Sequence, residues 1–256
     1  MKKLKVSGTV KYLYACIFIT LIWYALHLAV GSVVIPSPVT TLTNFIAIFP
    51  QTLLIHLLVS LSRVVAAITV SLLLGSLIGL WIGTNKKADS MLTPILYILY
   101  PIPKIAFLPI LMILFGLGNA SKIILIIIII IFQFVIAARD SVLEIPKELF
   151  YSVLSLGLGR LDIYRHLILP AALPGIFTAL RISTGISISI IFFAENFASR
   201  YGIGYFIMNS WVMVNYVDMF SGILALSILG LLLFGSIDLL EERLCGWMKA
   251  GKSFLN

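Results

Sequence analysis

The chain has 256 residues, of which 61% are hydrophobic and 11% are charged, and its mean hydropathy is +1.14. Ordinary globular domains carry charge on roughly a quarter of their residues, so this chain has too little polar surface to cover a soluble fold. Its net charge of +8 is distributed beside apolar runs and lacks interleaved aromatic residues, which argues against nucleic-acid binding. Composition therefore predicts an all-α, polytopic protein of the lipid bilayer.

Cysteine and histidine spacing gives no indication of a metal or haem site. Cys16 and Cys245 lie near opposite ends of the sequence, and the three histidines are not paired at helical spacing. The sequence also lacks a GxxxxGK[ST] phosphate-binding loop, so the chain is not expected to hydrolyse ATP. We therefore predict that it binds no cofactor and is not itself an enzyme.

Six segments are apolar enough to cross a bilayer as helices, which takes about 20 residues. They run approximately over 10–30, 52–83, 91–117, 122–138, 171–194 and 217–240. The first apolar run is too long for the core of a signal peptide, so we expect a retained anchor. The predicted organisation is one transmembrane domain over 1–256, with the anchor and an external segment in about 1–50 and the core helices in 51–240.

The basic residues predict the orientation in the membrane. Thirteen of the 18 lysines and arginines lie in four segments, which are 1–11, 84–90, 139–170 and 241–256. The segments that alternate with these are 31–51, 118–121 and 195–216, and they hold Arg200, with Lys122 at a boundary. By the positive-inside rule, we expect both termini in the cytoplasm and the protein in the inner, cytoplasmic membrane.

The second span carries small residues at every fourth position, which places them on one helix face. They are Ala67, Ser71, Gly75, Gly79 and Gly83. A face of small residues lets another backbone approach closely. We expect a close crossing with a helix of the same chain, and a dimer interface is the alternative.

The third span is predicted to be broken, because prolines interrupt it at Pro94, Pro101, Pro103 and Pro109. Each proline lacks an N–H group and clashes with the preceding turn. Irregular backbone at membrane depth survives only where it is buried in protein or lines a wet cavity. Lys104 lies at this break, which is typical either of a transport pathway or of an ordinary structural kink.

The fifth span is the most polar. At 100° per residue, its polar residues share one side, opposite the side that holds Ile182, Ile186, Ile190 and Phe193. The polar side holds Thr178, Arg181, Thr184, Gly185, Ser189, Glu195 and Asn196. Such groups suit a path through the membrane, whereas hydroxyls also serve bonds between helices and arginines also snorkel. The candidates for a translocation path in the whole chain are Arg63, Lys104, Arg181, Thr184, Ser189, Glu195 and Asn196.

A polar, basic loop over about 144–170 lies between apolar spans on the predicted cytoplasmic side. Pro146 and the neighbouring acidic residues favour a helix start, and a short helix is expected over 149–156. Gly157 and Gly159 break this helix, and a second short helix over 160–169 is ended or bent by Pro170. Two short helices at an angle would form a rigid knob that can transmit movement to a soluble partner.

In this loop, Gly157 is followed after nine residues by Leu-Ile-Leu-Pro at 167–170. This spacing resembles the cytoplasmic loop of ATP-binding-cassette (ABC) importer permeases, whose pattern is Glu-Ala-Ala, three residues, Gly, nine residues and Ile-x-Leu-Pro. Tyr151, Ser152 and Val153 stand where that pattern has Glu-Ala-Ala. Further motifs resemble the permeases that serve nitrate, sulfonate, taurine and thiamine-precursor uptake. They include Ile35-Pro36-Ser37-Pro38, His56 with Ser60 and Arg63, Tyr100-Pro101-Ile102-Pro103, Phe115-Gly116-Leu117-Gly118, Leu169-Pro170-Ala171-Ala172 and Ala194-Glu195-Asn196.

The resemblance implies a type I importer fold with a cytoplasmic coupling helix. It also implies a second permease copy in a homodimer, cytoplasmic ATPase subunits that hold ATP and magnesium, and an external substrate-binding protein. The implied solute is small and polar: nitrate, a sulfonate such as taurine, or a pyrimidine- or vitamin-like compound. The residues implied to contact the ATPase are Ser152, Val153, Ser155, Leu156, Gly157, Leu158, Gly159, Arg160 and Leu161.

The residues alone leave two other classes of protein open. An ion-coupled secondary transporter would work without an ATPase and often shows inverted repeats, which we do not find between the two halves. An integral membrane enzyme would need a cluster of reactive side chains at one interface, and the nearest candidates, Glu195, Arg200 and Asp218, form no recognisable catalytic set. Co-purification with an ATP-binding subunit discriminates among the three classes.

Overall fold

A computed structural model describes residues 8–247, with side chains from residue 13 onwards. Every regular element in this part of the chain is helical, which confirms the predicted all-α class. The helices are α1 (Gly8–Val30), α2 (Pro38–Ile48), α3 (Leu54–Thr84), α4 (Lys86–Leu99), α5 (Leu108–Phe115), α6 (Asn119–Leu143), α7 (Lys147–Ser155), α8 (Arg160–Ile163), α9 (Leu169–Glu195), α10 (Ile203–Val212) and α11 (Tyr216–Leu244). Two π-helical turns, Phe49–Leu53 and Tyr164–Ile168, and one 3-10 turn, Lys104–Phe107, complete the set.

The long apolar helices agree in number with the predicted spans. Five runs within residues 8–247 are long and apolar enough to cross a membrane, namely Leu13–Val30, Pro38–Thr84, Asn119–Leu143, Arg160–Glu195 and Tyr216–Leu244. A sixth crossing exists if the bent pair of α4 and Lys104–Phe115 counts as one span, and its two parts meet at 78°. The predicted break in the third span is confirmed.

The stretch between the first two spans differs from the expected external segment. Most of it is helix α2, whose first turn is capped by Ser37, with the amide of Thr40 donating to Oγ at 3.1 Å. Pro50 follows without ending the helix, because the backbone widens into a π-helical turn in which the amide of Leu54 donates to the carbonyl of Phe49. The second span is therefore continuous with residues that were expected to form a turn and an apolar stretch.

The second short helix predicted in the polar loop is also not separate. Residues 160–195 form one continuous helical run, and Pro170 neither ends nor isolates the segment before it. A π-helical turn again provides the reason, since the amide of Leu169 bonds the carbonyl of Tyr164 and the widened turn accommodates the proline ring. The loop therefore consists of one free short helix, α7, followed by an extension of the fifth span.

The small-residue face of α3 forms the predicted crossing within the chain. A Cβ atom added at Gly75 would lie 2.7 Å from Cβ of Phe134, and one added at Gly83 would lie 2.9 Å from the carbonyl oxygen of Arg139. Gly79 makes an equally close approach to the backbone of Val135. These glycines are enclosed by α6, so they are not available for the alternative dimer interface.

We expect Gly75→Ala to lower the free energy of unfolding by about 1–3 kcal/mol, because the added methyl group has no room between α3 and α6. Gly235→Ala on α11 is the matched control, since nothing lies within 4 Å of its added Cβ. Its effect should stay below about 1 kcal/mol. Denaturation of the purified protein in detergent measures both, and equal stabilities would contradict the crossing.

The bundle has two distinct ends. At the end that carries α7, Nε of Arg139 on α6 donates to Asp89 on α4 at 2.6 Å, and the hydroxyls of Thr84 and Tyr164 are hydrogen-bonded. At the end that carries α10, Arg63 on α3 pairs with Glu195 on α9. Segments 84–90 and 139–170, which were predicted to share a side of the membrane, therefore share an end. Five lysines used for the predicted orientation lie outside the described residues: Lys2, Lys3, Lys5, Lys249 and Lys252.

Candidate functional site

Helix α7 presents an exposed apolar face at its end of the bundle. Phe150 and Val153 pack against the hydrophobic core on one side of the helix. Tyr151 and Leu154 on α7, and Leu156 directly after it, are 67%, 56% and 75% exposed. Apolar side chains clustered on a polar, aqueous end typically mark an interaction surface.

Gly157 ends α7 and has a left-handed backbone, with φ at +72°. Its amide donates to the carbonyl of Leu154 at 3.0 Å, which closes the last turn. Nothing lies within 4 Å of an added Cβ, so the glycine is required by its backbone conformation and not by packing within this chain. Leu161 follows on α8 and is 81% exposed.

The residues implied to contact an ATPase therefore form one exposed strip over 152–161. Val153 and Leu158 are half-buried, and the other members are exposed. Their role as contacts stays a prediction. The strip is connected to the bundle on both sides, by the core contacts of α7 and by the continuous helix from α8 into α9.

At the opposite end, a buried polar cluster surrounds Glu195, whose side chain has no exposed surface. Arg63 donates to Oε1 at 2.6 Å, Ser60 donates at 2.8 Å, and the amide of Gly204 donates to Oε2 at 2.9 Å. The guanidinium of Arg63 also donates to Oδ1 of Asn119, at 2.7 and 2.9 Å. The cluster thus joins α3, α9, the start of α6 and the start of α10.

The loop after α9 is fitted closely around this cluster. Gly202 has φ at +140°, and an added Cβ would overlap the Glu195 carboxylate. Nδ1 of His56 lies 3.0 Å from both the amide nitrogen and the carbonyl oxygen of Gly202, and the amide of Ile203 donates to Oγ of Ser60 at 2.8 Å. His56 is one helical turn before Ser60 on α3, so one face of that helix organises the loop.

The residues on the predicted polar side of the fifth span differ in their exposure. Thr184 is buried and donates to the carbonyl of Leu180 at 2.8 Å, whereas Ser189 is exposed and bonds within its own helix. Asn196, with its amide nitrogen turned toward the loop, donates to the carbonyls of Gly204 and Phe192 at 3.1 and 3.2 Å. Ile190, predicted to lie opposite the polar residues, is buried with Thr184. The residues of the predicted polar side therefore differ in exposure, and their role in a path stays a prediction.

Arg181 lies nearer the α7 end and is neutralised by α11. It pairs with Asp238 at 2.9 Å and with Glu241. Its side chain is 32% exposed. Of the candidate cations for a path, Arg63 and Arg181 are therefore both bound to carboxylates of the same chain.

Lys104 lies at the break between α4 and α5. Its ammonium group donates to the carbonyls of Leu99 and Tyr100, both at 2.9 Å, and lies 4.5 Å from the centre of the Phe132 ring. The group therefore caps the carbonyl end of α4, where a positive charge is favourable. A cavity of about 340 Å³ opens beside it.

A second cavity, of about 460 Å³, lies at the α10 end beside the Glu195 cluster. Its lining includes Arg63, Asn119, Lys122, Arg200 and Tyr201. Lys122 is fully buried and donates to the carbonyls of Leu117 and Gly118 at 3.1 and 3.3 Å. Within residues 8–247, no three side chains of His, Cys, Asp or Glu are grouped so as to hold a metal ion.

A family model described as the inner membrane component of binding-protein-dependent transport systems matches residues 71–245. That stretch contains the exposed strip, the bent pair and Glu195. The chain belongs to this family. The predicted resemblance to importer permeases is thereby confirmed, and the permease is not expected to be either of the two alternative classes.

Two similar permeases come from bacteria. The taurine transport system permease protein TauC of Escherichia coli (strain K12) is 32% identical over 219 residues, which cover 83% of this chain and 80% of TauC. SsuC of Bacillus subtilis (strain 168), named provisionally as an aliphatic sulfonates transport permease protein, is 31% identical over 219 residues, covering 85% and 79%.

The permease also has the fold of a solved transporter chain. A chain from an inward-facing structure of the MetNI methionine ABC transporter superposes with a TM-score of 0.65 at 19% identity, covering 77% of this permease and 97% of that chain. The type I importer permease fold predicted from the sequence is therefore confirmed.

The sequence pointed to Arg63 and Glu195 without pairing them. It marked Tyr100 only as part of a family motif and did not point to Asn119 or Gln133. Arg63 and Glu195 are 132 positions apart, so no local pattern connects them. One available signal was the spacing of His56, Ser60 and Arg63, which places three polar side chains on one face of an apolar helix. Buried polar groups require partners, so that face predicts a polar partner elsewhere.

Proposed function

We propose that this permease is the membrane subunit of an ATP-driven importer in which a separate ABC ATPase hydrolyses ATP. The observation that carries the proposal is the exposed strip over 152–161 at the α7 end. It combines exposed apolar side chains with Gly157, whose backbone is left-handed. No packing contact within the chain explains that conformation. Such a surface suits a groove on a soluble partner.

Movement of an ATPase at this strip would reach the membrane helices directly. Helix α7 contacts the core through Phe150 and Val153, and the strip continues through α8 into α9 without a flexible joint. Because α9 ends at the Glu195 cluster, a shift of this helix changes both ends of the permease. This continuity supports the coupling role of residues 152–161.

The basic residues at the α7 end support an orientation of the permease in the membrane. The α7 end carries Lys86, Lys87, Lys147 and Arg165, in keeping with the positive-inside rule. We place this end in the cytoplasm with both termini, and the α10 end on the outside, where a substrate-binding protein delivers the solute. The whole of 1–256 then acts as one permease domain.

The path runs between two copies of the permease. Large apolar side chains on α5 are exposed in the single chain, including Ile113 at 84% and Leu114 at 67%. The exposed side of α9, with Ser189, Ile182 and Phe193, is equally free to face a second copy. We propose a homodimer whose path passes Lys104 and Ser189, with Arg63, Arg181, Thr184, Glu195 and Asn196 setting the helices that surround it.

The proposed solute is a small sulfonate, with taurine as the first choice. The two relatives above carry the names of taurine and aliphatic sulfonate permeases. Both are matched over four fifths of this chain or more. Their names support a related solute here, and Lys104, whose ammonium group bonds only carbonyls, suits an acidic group.

Reconstitution tests the proposed function. The purified permease, its ABC ATPase and its substrate-binding protein are combined in liposomes with labelled taurine outside and ATP inside. We expect uptake that requires all three components and ATP. Uptake by the permease alone would contradict the proposal, and ATP-driven uptake of a different solute would retain the mechanism while replacing the substrate.

A further inference from the structure

The basic side chains at depth in the bundle differ in how their charges are compensated. Arg63 pairs with Glu195, Arg139 with Asp89 and Asp140, and Arg181 with Asp238 and Glu241. Among the described residues, no ion pair involves Lys104. Lys122 also has only carbonyl partners and lines the cavity at the α10 end, but only 1% of it is exposed, whereas Lys104 is partly exposed.

Lys104 thus keeps an uncompensated charge beside an accessible cavity. A charge within a membrane span is costly and is retained mainly where it has a function. Two of the three ammonium hydrogens bond the carbonyls of Leu99 and Tyr100, which leaves one for another acceptor. The capping bonds fix the position of the group without neutralising it.

Two further donors converge on the same cavity. Gln133 on α6 donates one amide hydrogen to the hydroxyl of Tyr100 at 2.6 Å, and its second amide hydrogen has no partner in the described part of the chain. Because the Tyr100 oxygen accepts that bond, its own hydrogen can donate outward. Lys104, Tyr100 and Gln133 therefore offer three donors and one positive charge, which is the pattern that an oxyanion requires.

The remaining walls are apolar and come from other helices. Ile129 lies on α6, and Ile186 and Ile190 lie on α9. An apolar cavity of about 340 Å³ with a few converging polar groups is typical of small-molecule sites. The irregular backbone between α4 and α5 forms one side, as expected where a broken helix lines a cavity.

We propose that this cavity is an intramembrane binding station for the acidic group of the solute, held by Lys104, Tyr100 and Gln133. The ligand class is a small organic oxyanion, such as a sulfonate or carboxylate, with its apolar part against the isoleucines. The inference rests on the proposed transport function, and it names the residues that select for negative charge along the path.

A cysteine placed at Ile129 tests the charge of the cavity without requiring transport. Cys16 and Cys245 are replaced by alanine, and the ATPase-bound permease in nanodiscs is treated with sulfonatoethyl or trimethylammonioethyl methanethiosulfonate. We expect the anionic reagent to react faster. Lys104→Met should lower the labelling rate of the anionic reagent relative to that of the cationic reagent by about tenfold or more. One unit charge at a distance of about 8 Å, with an effective dielectric constant of about 20, is large enough to cause this change.

Two control variants separate charge from disruption. Lys104→Arg keeps the charge and should keep the ratio, and Lys87→Met removes an exposed charge from the start of α4 and should also leave it unchanged. A ratio that does not respond to Lys104→Met would overturn the proposal. Failure of both reagents to reach Ile129→Cys would overturn it too, because the cavity would be closed to the path.

A ligand measurement covers the case in which Lys104→Met does not fold. With Lys104 intact, ethanesulfonate should slow labelling of Ile129→Cys by the neutral methyl methanethiosulfonate, and ethylammonium should not. Equal protection by both, or protection by neither, would contradict an oxyanion site. Neither measurement depends on uptake, so loss of this inference is distinguishable from failure of ATP-driven transport in liposomes.

Discussion

Replacing Gly157 with valine is expected to reduce ATP-driven uptake at least about tenfold while the helical bundle stays folded. A left-handed conformation costs an L-residue about 1–2 kcal/mol, and a β-branched side chain makes it less favourable still. Because φ at Gly157 is +72°, valine should displace the turn after α7. No atom of the permease lies within 4 Å of the added Cβ, so the substitution should not disturb packing inside the chain. The changed turn should instead weaken the contact with the ATPase.

Gly235→Ala on α11 provides the control for Gly157→Val, because Gly235 lies outside the strip. Nothing lies within 4 Å of its added Cβ. This variant should transport within about twofold of the unaltered permease. Co-purification of the ATPase, ATP hydrolysis and uptake are measured together, and unchanged assembly and uptake in Gly157→Val would show that the strip is not the docking surface.

Removing the carboxylate of Glu195 is expected to destabilise the permease by about 3–5 kcal/mol, because Glu195→Ala leaves the buried Arg63 charge without its partner. The sequence alone favoured a path residue whose loss changes uptake more than folding. Full burial and the bonds from Arg63, Ser60 and Gly204 now favour a structural effect as well. The midpoint of denaturant unfolding in detergent measures the loss.

The double variant Arg63→Met/Glu195→Met separates the cost of an unpaired charge from the cost of lost packing. It should recover part of the stability lost in Glu195→Ala, since no charge remains buried. Asp238→Asn is the control for a partly exposed pair, and its effect should stay within about 1 kcal/mol because the Asp238 side chain is 54% exposed. A Glu195→Ala permease as stable as Asp238→Asn would contradict the buried ion pair.

The helix crossing and the broken span were predictable because their signals are local. Glycines at every fourth position specify one face of α3, and prolines at 101 and 103 remove the amide donors that a continuous helix needs. The sequence did not predict that the helices continue past Pro50 and Pro170, and both continuities have the same cause. A π-helical turn lets a helix pass a proline, and whether it forms depends on packing around the helix.

Spacing predicted an exposed loop at residues 152–161, whose role as the coupling surface stays a prediction, but its architecture was not predicted. The sequence favoured two short helices at an angle, whereas only α7 stands apart and α8 extends into α9. Gly157 was identified because a glycine at a fixed distance from a proline is visible in the sequence. The continuity past Pro170 was not visible, since it depends on the surrounding bundle.

Composition by itself predicted about six membrane spans, and the motifs in the sequence predicted membership of the importer permeases. These properties follow from transfer of apolar residues into lipid and from motifs that lie within one segment. Only the tertiary structure decided which buried charges are neutralised. Coulomb interaction depends on distance in space, and folding brings Glu195 to Arg63 while leaving Lys104 with carbonyls and an open cavity.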